Sequence, residues 1–127
     1  MLNIFAIFIG GGLGSVSRYG VSLLLRAYSM DFPLATLSVN ILGSLILGFI
    51  VALFWKDAQS YSSLHATLKL AITVGFCGGL TTFSTFSWET FDLIKQGEYL
   101  LALLYAIISV IICLLAISLG AFLSKYV

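Results

Sequence analysis

The stretch Gly75-Phe76-Cys77-Gly78-Gly79-Leu80-Thr81-Thr82-Phe83-Ser84-Thr85-Phe86-Ser87-Trp88 carries two conflicting signals. It belongs to a run from Leu70 to Trp88 without a charge, close to the roughly 20 helical residues that a hydrocarbon core of about 30 Å requires. Yet its glycines and its succession of Ser and Thr make a poor continuous helix. Glycine costs about 1 kcal/mol relative to alanine, and hydroxyl side chains compete for backbone hydrogen bonds. The two signals together predict a membrane-crossing helix broken near Gly78 to Thr82. Irregular backbone at membrane depth is tolerated only where it is buried in protein or lines a cavity. Its freed carbonyls suit a hard cation, and the N-terminus of the half-helix that follows favours an anion.

The surrounding chain is of the same kind. Its 127 residues are 61% hydrophobic and 9% charged, with a mean hydropathy of +1.14, whereas soluble domains average about 45–50% apolar and about 25% charged residues. Six basic and five acidic side chains are too few to solvate a compact domain of this length, which argues against a soluble enzyme. A net charge of +1 without a basic cluster lacks the phosphate-neutralising footprint of a nucleic-acid binder, so no nucleic-acid partner is expected. Cys77, Cys113 and the lone His65 match neither a disulfide framework nor a zinc-ligand spacing.

Four runs, Ile4 to about Leu25 with Arg18 its single charge, and Leu34 to Trp55, Leu70 to Trp88 and Tyr99 to Ser124 with none, mark four spans at about 4–25, 34–55, 66–91 and 99–123. The connections are short: Asp31-Phe32-Pro33, with the only proline opening the second helix; the polar stretch from Lys56 to Ser63; and Asp92 to Glu98, with Gly97. The first run has no basic start before its apolar residues, so it is expected to be retained rather than cleaved as a signal peptide. No strand alternation, heptad or low-complexity tract interrupts the pattern. The reading is an all-α membrane protein, one domain over 1–127, with four transmembrane helices of which the third is broken.

Basic residues near span ends normally favour the cytoplasmic side. Lys56, Lys69 and Lys125 fall on one side of a four-span chain and Arg26 and Lys95 on the other, joined by Arg18 if it reaches outward from the first helix. This balance predicts dual topology and hence an antiparallel homodimer of inverted protomers; the alternative is that one charge is ignored during insertion.

Polar groups in lipid must find partners or line water. Arg18 follows Gly10, Gly11, Gly12 and Gly14; a mid-membrane charge costs roughly 2.5–3.5 kcal/mol, so it should face a cavity or snorkel. Gly10 and Gly14 form a small-residue face suited to close helix packing. Thr36, Asn40 and Ser44 share one face of the second helix. The Asn40 amide could bind an anion or join two helices. Tyr105, Ser109 and Cys113 make a similar stripe on the fourth, although membrane serines often bond their own i−4 carbonyls. Phe83 and Phe86 share a face; their electropositive ring edges could touch a small anion, or they could be core residues.

The segments Gly10-Gly11-Gly12-Leu13-Gly14-Ser15-Val16-Ser17-Arg18, Thr36-Leu37-Ser38-Val39-Asn40-Ile41-Leu42-Gly43 and Gly78-Gly79-Leu80-Thr81-Thr82-Phe83-Ser84-Thr85-Phe86 occur in the order found in Fluc/CrcB fluoride channels, which the chain resembles over nearly its whole length. The resemblance implies a dual-topology antiparallel homodimer in the bacterial inner membrane, exporting fluoride through two pores, with a structural Na+ on the two-fold axis. By the same resemblance Asn40, Thr82, Phe83, Phe86, Ser109 and Cys113 would line the anion pathway and Arg18 its vestibule. The backbone carbonyls of Gly78 and Thr81 would hold the sodium ion. Cys113 departs from the hydroxyl usual there, and a thiol is a weaker donor. Passive permeation follows, with no enzymatic step.

Two rivals make different demands. A proton-coupled multidrug exporter needs a membrane-embedded carboxylate, whereas Asp31, Asp57, Glu89, Asp92 and Glu98 are all expected at or beyond span ends, Glu89 being nearest to an exception. A structural subunit would use the polar stripes only as glue. An intramembrane enzyme lacks a nucleophile with its base. Trp55, Tyr61, Trp88, Tyr99 and Tyr126 read as interfacial anchors.

Overall fold

Thr81 and Thr82 are extended, with φ and ψ of −80° and 156°, and −151° and 116°, and this two-residue step divides the third span. The computed structural model describes residues 1–29, 31–55 and 63–127. Helix α1 is Leu2–Leu24 and α2 is Leu34–Trp55. The third span begins as α3, Ser63–Leu70, passes through a π-helical stretch, Ala71–Cys77, and ends its first half in α4, Gly78–Leu80. After the break, α5 is Phe83–Lys95, and α6 is Tyr99–Leu123. Among the described residues, four helical spans are long and apolar enough to cross a bilayer. The expected polar loop from Lys56 to Ser63, with its Tyr61 anchor, lies outside the described residues except for the start of α3, as does the Trp55 side chain.

The second span runs over Leu34–Phe54 and the fourth over Tyr99–Tyr126, while the third is the longest, Leu64–Lys95. Its extension past Trp88 ends at a specific device. Gly97, at φ 84°, takes the left-handed conformation that glycine adopts without penalty. Its N–H bonds the Ile94 carbonyl, and the Glu98 N–H reaches the Leu93 carbonyl, a Schellman closure. The loop between α5 and α6 therefore shrinks to three residues. The break is also narrower than expected, because Gly78 and Gly79 remain helical.

Close packing explains why Gly79 stays in the helix, whereas Gly78 has nothing within 4 Å of its Cβ position. The first half of the third span lies along α1. A Cβ on Gly75 would stand 2.8 Å from the Ile7 carbonyl oxygen and one on Gly14 2.8 Å from the Leu80 nitrogen, while one on Gly79 would overlap the Gly11 carbonyl. The small-residue face at Gly10 and Gly14 thus brings two backbones into contact, as such faces do in membranes. Helices α2 and α6 pair in the same way: a Cβ on Gly120 would stand 2.8 Å from the Phe49 nitrogen and one on Gly48 would overlap the Ile117 carbonyl. Beyond the break, α5 leaves α1 and packs on α6. There Leu37, Leu93, Ala102 and Tyr105 form a buried cluster, flanked by Phe32, Ile41, Phe86 and Leu101.

Gly48→Ala and Gly20→Ala separate packing from helix propensity. The first forces α2 from α6 and should destabilise the protein by about 1–3 kcal/mol. Gly20, with nothing within 4 Å of its Cβ position, should be neutral or gain up to about 1 kcal/mol. Thermal unfolding of both variants in detergent measures the difference.

Candidate functional site

The broken backbone at membrane depth is held by one side chain. The Asn40 Oδ1 accepts the Thr82 N–H at 2.8 Å, and Asn40 Nδ2 donates to the Thr82 carbonyl at 3.3 Å. The amide therefore pairs with Thr82 through both its acceptor and a donor. Of the two roles open to Asn40 on sequence, joining helices is the one these bonds display; its second amide hydrogen remains for the cavity that Asn40 lines. The Thr82 hydroxyl then caps α5, accepting the Thr85 N–H at 3.2 Å and donating to Thr85 Oγ1 at 3.0 Å. Capping explains why α5 starts at Phe83: a residue with an extended backbone and a side-chain oxygen satisfies an otherwise orphaned helical N–H. Thr81 turns the other way, its N–H and hydroxyl both donating to the Cys77 carbonyl, at 2.9 and 2.8 Å.

Around the break opens a cavity of about 350 Å³. Asn40, Gly78, Thr81, Thr82, Phe83, Phe86, Ser109 and Cys113, all singled out from the sequence, line it. The stripe on α2 contributes Asn40 and Ser44, and that on α6 contributes Ser109 and Cys113. The Ser109 Oγ is buried, in a residue only 5% exposed, and has no hydrogen-bond partner among the described residues. It does not bond its own i−4 carbonyl, unlike Ser118, whose hydroxyl donates to Leu114 at 2.8 Å. A buried hydroxyl left open is costly unless something polar visits it.

The phenyl rings of Phe83 and Phe86 lie 5.6 Å apart at 39°. The series continues from Phe86 to Tyr105, 5.2 Å, and from Tyr105 to Phe32, 5.4 Å and near-perpendicular. Phe86 is packed against the buried cluster, whereas Phe83 is 79% exposed within one chain.

Arg18 lies outside this cavity. It lines a second one of about 350 Å³, with Ser15, Thr36, Thr82, Thr85 and Glu89 among its walls. Its Nη1 stands 3.5 Å from the Thr81 carbonyl. Thr82 lines both cavities, so the cavity of Arg18 and that of the phenylalanine pair share one residue of broken backbone.

Glu89 corrects a sequence expectation. It is not at a span end: it sits within α5, half-buried, and accepts the Thr36 hydroxyl and the Tyr105 hydroxyl, each at 2.7 Å. Two O–H donors stabilise a carboxylate that lipid would reject. The spacing Phe83, Phe86, Glu89 was the available signal, since steps of three keep one helix face. Thr73 and Cys77, also on the wall of the first cavity, had none beyond lying four apart on an interrupted span.

The family model described as CrcB-like protein, Camphor Resistance (CrcB), matches residues 5–121. The chain is 43% identical over 119 residues to the fluoride-specific ion channel FluC of Pyrococcus abyssi, covering 94% of this chain and 93% of that protein. It is 42% identical to the FluC of Bacteroides fragilis over 98% of both chains, and 46% identical to that of Serratia proteamaculans over 80% of this chain and 76% of the relative. Similarity of this extent spans every helix, the break and both cavities: the chain belongs to the CrcB family.

Proposed function

We propose that this protein is a passive, fluoride-selective channel that lowers the fluoride load of a bacterial cell, working in the inner membrane as an antiparallel homodimer with two pores. The observation that carries the reading is the convergence on one cavity of Asn40, Thr82, Phe83, Phe86, Ser109 and Cys113, with the Ser109 hydroxyl unpaired. The relatives' established identity as fluoride channels supports the choice of ion.

A small anion leaving water must exchange hydration for fixed donors of comparable field strength. The second Asn40 amide hydrogen and the Ser109 hydroxyl are such donors, and the edges of Phe83 and Phe86 offer positive quadrupole to a partly dehydrated ion. In the cavity that shares Thr82, Arg18 draws anions by long-range attraction. Each group binds weakly and releases easily, as conduction requires. Fluoride enters cells as its neutral acid and is trapped as the anion, so an inside-negative potential drives it out without ATP.

Two features support a second copy. Gly78 is exposed, and the Thr82 N–H that would have met its carbonyl is taken by Asn40; lipid cannot satisfy such a carbonyl. Phe83 is exposed beside it. An inverted copy over this face would cover both, and the balanced basic residues permit inversion. The Gly78 and Thr81 carbonyls fit a structural Na+, being hard oxygen ligands at a helix break; these are the residues that would hold it, and when bound it supplies positive charge to the interface.

The test is fluoride efflux from proteoliposomes loaded with potassium fluoride, with chloride in parallel. Valinomycin-dependent fluoride release with little chloride release is expected; release of neither by folded dimer would favour the structural subunit. Phe83→Ile, at an exposed ring, should leave monomer folding intact and slow fluoride at least about tenfold, whereas a structural role predicts unchanged flux. Asn40→Ala should do more, losing flux and about 1–3 kcal/mol of stability, because the buried Thr82 N–H loses its acceptor.

For the interface, replacing sodium by N-methylglucamine should lower the melting temperature of the dimer while potassium fails to restore it. Equal melting in all three salts would remove the sodium ion from the proposal.

A further inference from the structure

Arg18 reaches the broken backbone because of what precedes it on α1. Gly14 lies against the backbone of Phe76 and Leu80, and one turn further along the same face the Arg18 Nη1 stands 3.5 Å from the Thr81 carbonyl oxygen. A well-made N–H···O bond is about 2.9–3.0 Å long, so this contact is held by charge more than by direction. It also leaves the oxygen open to another partner, since a carbonyl has two lone pairs. The oxygen itself is fixed in place. The Thr81 N–H and hydroxyl are both tied to the Cys77 carbonyl, and its methyl packs at Gly43, where an added Cβ would overlap it. The Glu89 carboxylate, on the wall of the same cavity as Arg18, directs its two oxygens to the hydroxyls of Thr36 and Tyr105 and not to the guanidinium.

We propose that Arg18 shares the Thr81 carbonyl with the sodium ion of the interface, so that Arg18 opposes sodium binding and is released into its own cavity when sodium is bound. The inference rests on the Gly78 and Thr81 ligands proposed above. Two cations on one oxygen repel, and more strongly where little water screens them. Coupling between two sites is reciprocal: the charge that weakens sodium binding is itself displaced by it. Arg18 therefore rests on Thr81 while the interface holds no metal, and withdraws among Ser15, Thr82 and Thr85, which line its cavity, once the interface is loaded. Arg18 is thus a positioning residue as well as an attracting charge. A chain without its partner, and so without a complete set of carbonyls, keeps that charge pinned to backbone.

The test reads sodium binding through stability, because a ligand bound only by folded protein raises the melting temperature with concentration. Full-length protein in detergent is melted across a sodium series at constant ionic strength, with N-methylglucamine as the replacement cation. Arg18→Gln should reach half of its sodium-dependent shift at a concentration at least about fivefold below that of wild type. Arg26→Gln removes an exposed charge just beyond the same helix and should stay within about twofold of wild type, because exposed charges are screened. Arg18→Lys is the second variant should Arg18→Gln not assemble. It keeps the charge on a shorter side chain without the guanidinium fork, and should lower the sodium requirement at least about twofold. The inference is overturned, with the sodium site left standing, if Arg18→Gln, or Arg18→Lys in its place, needs as much sodium as wild type. Melting independent of sodium in wild type and variants alike would instead remove the sodium site and the inference together.

Discussion

The pairing of the Asn40 carboxamide with the Thr82 peptide is the constraint on which the rest of the arrangement depends. A membrane interior offers no water to an interrupted helix, so every freed backbone group needs a protein partner. Asn40 supplies an acceptor and a donor at once, and it does so from α2, a helix otherwise fastened to α6. The break is thereby tied to the side of the molecule where the hydroxyl stripe of α6 stands. Without that tie, Thr82 would have no reason to remain extended, and the cap that starts α5 at Phe83 would be lost with it.

Glu89 shows the same economy. A carboxylate within a span is expensive, and here Thr36 and Tyr105 each direct a hydroxyl at it. Those donors come from α2 and α6, so the three-way contact joins the helices that carry the two polar stripes. Tyr105, fully buried, also links Phe86 to Phe32 through its ring. The aromatic series is thus positioned by a polar anchor at its core and left open at Phe83.

Much of this was legible in the sequence for reasons that are local. Helix α2 and α6 have their limits written as uncharged runs of membrane length, and the break is announced by Gly78, Gly79 and the hydroxyl residues after them. Periodicity placed Asn40 with Ser44 and Ser109 with Cys113, and both pairs do face one cavity. What failed was long-range. Charge alone marked Glu89 as a terminal residue, because the hydroxyls that donate to it lie 53 and 16 positions away. The helical state of Gly79 could not be read from propensity, since it follows from the approach of the Gly11 backbone.

The two halves of the third span are secured by different physics. Residues 63–80 lie against α1 through interlocked glycine backbones, a steric fit that resists any added atom. Helix α5 is instead held by directional bonds at its start and by the Glu89 contacts within it. Steric contacts between backbones leave little room for adjustment, while hydrogen bonds fix orientation and can be exchanged singly. Changes at the glycines should therefore act on the fold as a whole. Changes at Asn40 or Thr82 should turn α5 about the break and carry Phe83 and Phe86 with it, because both rings are borne on the helix that Thr82 caps and whose cap residue Asn40 holds by its peptide. The main cavity is set at the joint between a rigid half-span and an orientable one, and that is where the sequence abandons helix propensity.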